Sequence, residues 1–168
     1  RVGAALCTDC HDEVTKDLLF VHGPVAVGAC TACHQPHASN HAHLLAREEK
    51  EACLQCHSAI QERMGPGAHV HRPVGDGCLA CHKGHGAKNK LMLTLEAPGL
   101  CVDCHDKIGE LVSEGTVKHS PMTAKGSCLI CHDAHASPFE KMLVKPAMEV
   151  CLACHGTEVT SASGKVAN

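Results

Sequence analysis

Aromatic side chains are nearly missing from this chain of 168 residues: Phe20 and Phe139 are the only two, with no Trp and no Tyr. Large rings normally dominate core burial, so an ordinary core built from the chain's own side chains is excluded. The 44% hydrophobic fraction does not repair the deficit, because it counts 14 Cys and many Ala. Apolar runs are short, as in Leu18-Leu19-Phe20-Val21, against the roughly 20 residues that a membrane-spanning helix needs. Positive charge is not in excess either: 15 Lys and Arg face 18 Asp and Glu, a formal net charge of −3. Together with the missing aromatics this excludes a nucleic-acid-binding surface.

What the chain has instead is Cys and His. Cys-x-x-Cys-His occurs seven times and uses every cysteine: Cys7-Cys10-His11, Cys30-Cys33-His34, Cys53-Cys56-His57, Cys78-Cys81-His82, Cys101-Cys104-His105, Cys128-Cys131-His132 and Cys151-Cys154-His155. With His at roughly one residue in ten, a His behind all seven pairs by chance is on the order of one in ten million. Zinc ribbons need two pairs per metal and no fixed His, and redox pairs occur singly in a βαβ context. A disulfide framework also needs no such His. The spacing is that of c-type haem attachment, in which two thiols bond to the porphyrin and the imidazole ligates iron. Seven covalently bound haem c groups are therefore expected, with His11, His34, His57, His82, His105, His132 and His155 as proximal ligands.

Seven macrocycles take the place of the missing core. The polypeptide should be a thin wrapping on a haem stack, largely unfolded without its cofactors. The propionates add negative charge, which occupies the available Lys and Arg. Because this type of haem attachment takes place outside the cytoplasmic membrane, an export signal is expected to have been removed, and the mature compartment to be periplasmic or extracellular.

The motifs alternate between two types in a repeat of about 48 residues; the first cysteines at 7, 53, 101 and 151 are 46, 48 and 50 apart. Even motifs carry one His upstream and one three residues after the motif: His22 and His37, His71 and His85, His119 and His135. After each even motif come a polar bridge and an aliphatic pair, Leu44-Leu45, Met92-Leu93 or Met142-Leu143. Helical spacing follows the odd motifs, over Asp12–Phe20, Ser58–Met64 and Asp106–Ser113, with breaks at Gly65-Pro66-Gly67 and Gly115. The expected fold is mostly irregular and all-α: short helices and loops on a stack of haems, with almost no β-sheet. Residues 1–155 are expected to form one heptahaem domain, three two-haem repeats plus a terminal motif, and residues 156–168 a flexible tail.

This pattern resembles the multihaem cytochromes with the doubled CxxCH motif, in which CxxCHxxH and a plain CxxCH alternate around an aliphatic pair. The resemblance covers residues 7–155. It includes periplasmic electron carriers and the decahaem conduits of outer-membrane barrels.

The matched spare imidazoles are expected as distal ligands: His22, His37, His71, His85, His119 and His135. Each His of CxxCHxxH must reach a neighbouring haem, because it lies near the proximal side of its own. Six spare His for seven irons leave one ligand to come from His41, His43 or His69, from a Met, or from a neighbouring subunit. His43 or His41 is favoured, since neither has a counterpart in repeats two and three. Met92 and Met142 read as packing against porphyrin, and Arg47-Glu48-Glu49-Lys50-Glu51 as a solvated helical face.

Bis-imidazole ligation saturates iron and favours electron transfer over catalysis. The expected function is single-electron transfer between a quinol-linked donor and a terminal reductase or outer-membrane conduit. Two alternatives stand beside it, a subunit of an extracellular haem filament and a small reductase of nitrogen or sulfur oxyanions. The regular motifs, without a readable substrate site, argue against the enzyme.

Overall fold

The computed structural model describes residues 4–12, 14–124 and 127–156, together with the backbone of 159–160 and 166–167. Its recurring local structure is the motif itself. In six motifs the first Cys carbonyl accepts from the N–H of the second Cys and of the His, as in His11 N to Cys7 O at 2.9 Å and His132 N to Cys128 O at 3.0 Å; the seventh lies inside a helix. One turn thus places residues i, i+3 and i+4 on a common face. Both sulfurs and the imidazole are presented together.

The helices are short: α1 Ala4–Thr8, α2 Gly23–Ala26, α3 Glu49–Leu54, α4 Ser58–Arg63, α5 Arg72–Asp76, α6 Gly99–Val102, α7 Asp106–Glu114 and α8 Ala147–His155. Single 3₁₀ turns carry two of the even motifs, at Cys30–Ala32 and Ser127–Ile130. The strands are two residues each: β1 Phe20–Val21, β2 His69–Val70, β3 Gly86–Ala87, β4 Ala136–Ser137, β5 Val159–Thr160 and β6 Val166–Ala167. They pair antiparallel as β1 with β3, β2 with β4 and β5 with β6. The fold is helical and irregular, with only these minimal sheets.

The three repeats, here units 1 to 3, begin at Cys7, Cys53 and Cys101 and are followed by the terminal motif. The strand before the spare His of one unit pairs with the strand that follows CxxCHxxH in the next. Phe20 lies opposite Ala87 and Val21 opposite Gly86; His69 lies opposite Ser137 and Val70 opposite Ala136. Gly86 is fixed by this approach, since its φ is +149° and a Cβ there would stand 2.4 Å from the Phe20 carbonyl oxygen. Among the described residues the buried ones are Gly86, Ala87, Ala136, Ser137 and Ser127. Side-chain burial is thus concentrated where units meet. The polypeptide exposes 12235 Å², whereas a compact globule of 17.6 kDa exposes about 8,000 Å².

Two sequence expectations change. Asp12–Phe20 is not a helix: Asp17 has φ 60° and Phe20–Val21 is drawn into β1. Pairing across units overrides the helical spacing there, where Val14 and Thr15 are both β-branched. Ser58–Met64 and Asp106–Ser113 do correspond to α4 and α7, which stop at the Gly and Pro breaks. Glu49 is more than part of a solvated face. Its carboxylate Oε1 accepts from Cys78 N at 2.7 Å and Leu79 N at 3.0 Å, tying α3 to the attachment turn of the next even motif. Of the expected tail, Gly156 and the backbone of β5 and β6 are described; its other residues lie outside the described residues.

Candidate functional site

Each even motif is closed by a backbone device. Nine residues after the proximal His, a carbonyl accepts its Nδ1–H: His34 to His43 O at 2.9 Å, His82 to Leu91 O at 3.0 Å and His132 to Lys141 O at 2.9 Å. The acceptor residue and the first member of the aliphatic pair both take the left-handed conformation, with φ of 54–56° at His43, Leu44, Leu91, Met92, Lys141 and Met142. Left-handed backbone in such residues costs about 1–3 kcal/mol each, and it recurs three times at the same place. The second member, Leu45, Leu93 or Leu143, then bridges back to the proximal His. A carbonyl can only accept, so Nδ1 holds the proton and the Nε2 lone pair is left for a metal.

Two of the three spare imidazoles before the even motifs are set in the same way. His22 Nδ1 donates to Gly84 O at 2.9 Å and His71 Nδ1 to Ala134 O at 3.1 Å, both across a unit boundary.

Five imidazole pairs result. His22 faces His57 with ring centroids 6.1 Å apart and planes at 18°. His71 faces His105 at 6.1 Å and 14°. His119 faces His155 at 6.0 Å and 11°. Of the residues after CxxCHxx, His85 faces His34 at 5.8 Å and 41°, and His135 faces His82 at 6.1 Å and 11°. Two metal–nitrogen bonds of about 2 Å, with the ring radius added on both sides, give roughly 6 Å between centroids. The pairs therefore fit a six-coordinate iron between each two rings, and the adjacent Cys pair fits covalent attachment of the porphyrin that carries it.

Burial pushes His85 and His135 below the ordinary imidazole value; the next contributions come from His34 at His85 and from Arg63 at His135. Both shifts favour the neutral, ligating form. His135 has further company: Arg63 Nη1 donates to Asp133 Oδ2 at 2.5 Å, Arg63 Nη2 lies 3.3 Å from His135 Nδ1, and Asp133 Oδ1 accepts from His135 N at 2.8 Å.

None of the 14 cysteines is paired in a disulfide. Burial and then Cys78 push Cys53 up to about 12, and burial and then Cys128 push Cys101 up to about 11. Cys7 is raised by desolvation and by its hydrogen bond to Cys30, and Cys81 by burial and Cys104. Redox-active cysteines show the opposite shift. The same contacts place the odd and even attachment turns of a unit side by side, at Cys7 and Cys30, Cys53 and Cys78, and Cys101 and Cys128. Among the described residues, no three His, Cys, Asp or Glu gather as a site for a bare metal ion.

The remaining expected residues are not brought to a second imidazole among the described residues. His11 and His132 are proximal His without a facing ring. His37 is exposed, as are His41 and His43, and His43 contributes its backbone carbonyl to His34. His69 sits in β2 opposite Ser137. The left-handed carbonyl bridge and the Glu49 cap were not read from the sequence. The three-fold recurrence of the aliphatic pair was the available signal for the bridge.

A comparison with curated proteins finds no match. The family model of the doubled CXXCH motif matches residues 22–62, 71–110 and 119–160. Each match opens at the spare His of one unit and takes in the odd motif it faces in the next. The alternating motifs, the paired imidazoles and these three matches place the chain in the doubled CXXCH motif family of multihaem c-type cytochromes.

Proposed function

We propose that this chain is a heptahaem electron carrier, one domain of three two-haem units and a terminal motif, and not an enzyme. The observation that carries this reading is the set of five imidazole pairs at 5.8–6.1 Å. In this reading His22, His71, His119, His85 and His135 are the distal ligands opposite His57, His105, His155, His34 and His82. Covalently bound haem supplies one-electron redox chemistry, and saturated ligation keeps reorganisation small. The chain's own carbonyls hold His34, His82, His22 and His71 in one tautomer, and its other residues exclude substrate from the paired faces and set the local charge. A quinol-linked donor and a terminal reductase or outer-membrane conduit, in the periplasm or outside the cell, are the partners this chemistry suits.

The test is intact mass under denaturing conditions together with electron paramagnetic resonance of the oxidised protein. A mass excess of seven haems and low-spin iron at the five paired positions are expected. A mass equal to the bare polypeptide, or high-spin iron at those positions, overturns the reading.

A further inference from the structure

At both internal junctions one set of contacts recurs. His22 N donates to His85 O at 3.0 Å and His71 N to His135 O at 2.9 Å. The flanking two-residue strands pair, the Nδ1 of the upstream His finds a carbonyl of the next unit, and the His of CxxCHxxH faces the proximal His of the preceding even motif. The strand valines are half-covered, Val21 at 37% and Val70 at 40% exposure.

Two surfaces carry the halves of a third such junction. On unit 3, Val117–Lys118 corresponds to β1 and β2, yet among the described residues no strand pairs with it, and Val117 is 92% exposed. His132 has its Nδ1 held by Lys141 O but no facing ring. On unit 1, Pro36–Ser39 corresponds to Gly84–Ala87 and Ala134–Ser137, yet Ala38 is exposed where its counterparts Gly86 and Ala136 are buried. The Ser39 loop already has the conformation of its counterpart: His41 N donates to Ser39 Oγ at 2.9 Å as Phe139 N does to Ser137 Oγ at 3.0 Å.

We propose that these surfaces dock on each other between two copies of the chain, with residues 36–39 of one copy adding a strand to residues 117–118 of the other and His37 supplying the distal ligand opposite His132. The occupant is a second copy because the segment that fits each exposed edge is present in this same chain, in the conformation it has when paired. Repeat equivalence sets Ser39 opposite Val117 and Ala38 opposite Lys118, with His119 N donating to His37 O and His119 Nδ1 to Pro36 O. One contact thereby covers Val117, partners a sheet edge and completes an iron site. The surfaces differ, so the association is head-to-tail and does not close by itself.

The same equivalence has a steric consequence. The Cys151–His155 motif of the first copy arrives beside Cys30 of the second, where Cys7 stands within a copy. Residues 4–12 of the incoming copy must move aside. His11 therefore gains no partner on docking.

This inference rests on the bis-imidazole reading, and the experiment separates the two. Sedimentation and electron paramagnetic resonance are followed on the oxidised full chain over a range of concentrations. In dilute solution a monomer with high-spin iron at two positions, His11 and His132, is expected. At high concentration chains of copies form and one of the two converts to low spin. His37→Ala should weaken association at least tenfold and hold both positions high-spin, and added imidazole should convert His132 in the monomer while blocking assembly. Thr116→Pro, which removes the donor equivalent to Leu19 N on Ala87 O, should also block assembly. A mixture of the two variants keeps one intact junction and should stop at heterodimers. A monomer at every concentration, a low-spin His132 in dilute protein, or association untouched by His37→Ala overturns the proposal. High-spin iron at the five paired positions overturns the ligation reading instead.

Discussion

Odd and even motifs share one turn of backbone, but the rings that face them arrive from opposite directions along the chain. His57 and His105 stand at the starts of α4 and α7, and each is faced by a His from the unit before. His34 and His82 stand at single β-bridges to Leu45 and Leu93 and are tethered by a carbonyl nine residues later, and each is faced by a His from the unit after. Every internal boundary is therefore crossed twice, in opposite senses. What this teaches is that a unit is not self-sufficient. Its even iron site looks forward and its odd iron site looks back, so stability resides in the junctions, as in repeat proteins.

The largest effect should come from removing an attachment. With Cys78 and Cys81 both replaced by Ala, the mass should fall by one haem and the His82–His135 contact should lose its purpose, so far-ultraviolet circular dichroism should show loss of structure on both sides of unit 2. Blocking all attachment should leave the chain largely unfolded.

Single ligand changes are next, and they divide the two directions. His71→Ala should open the His105 site and His85→Ala the His34 site, each leaving the covalent haem in place and shifting one potential, on the order of 100 mV within the ~0.8 V range that axial ligation spans. Spectroelectrochemistry checks this. If both variants alter the same haem, the two-direction scheme is wrong.

Gly86→Ala attacks the strand pairing without touching a ligand. Its Cβ would meet the Phe20 carbonyl, and a cost of about 1–3 kcal/mol is expected. The low-spin signal of the His34 site should broaden while the His57 site, across the same boundary, is less affected; equal loss at both would mean that β1 and β3 hold the whole junction as one body.

Glu49→Ala should have the smallest effect, about 1–3 kcal/mol for two lost charge-assisted hydrogen bonds, seen as a fall of several degrees in Tm with every ligand retained. A change in haem count would show that α3 is needed for attachment at Cys78.

The CxxCH motifs were legible because covalent attachment demands fixed spacing, and recurrence singled out six spare His, of which five face a proximal His and His37 faces none among the described residues. Which ring faces which was not. His22 and His57 lie 35 positions apart and His34 and His85 lie 51 apart, and only the folded junction brings them together. The residues 12–20 read as a helix because local spacing carries no record of a strand partner near residue 86. The bridge at His43, Leu91 and Lys141 escaped because its function belongs to backbone conformation, which three unlike side chains do not announce; His43 drew attention as a ligand while its carbonyl was the part in use.

The doubly crossed boundary also fixes how such a chain can lengthen. A whole repeat of about 48 residues inserted between two existing ones takes a His for its odd motif from the repeat before it and one for its even motif from the repeat after it, and supplies one to each in return, so no existing partner is orphaned. A single motif inserted alone strands an imidazole on each side. Growth by duplication is thereby quantised in steps of two haems, and the wire can be made longer without redesigning any of its joints.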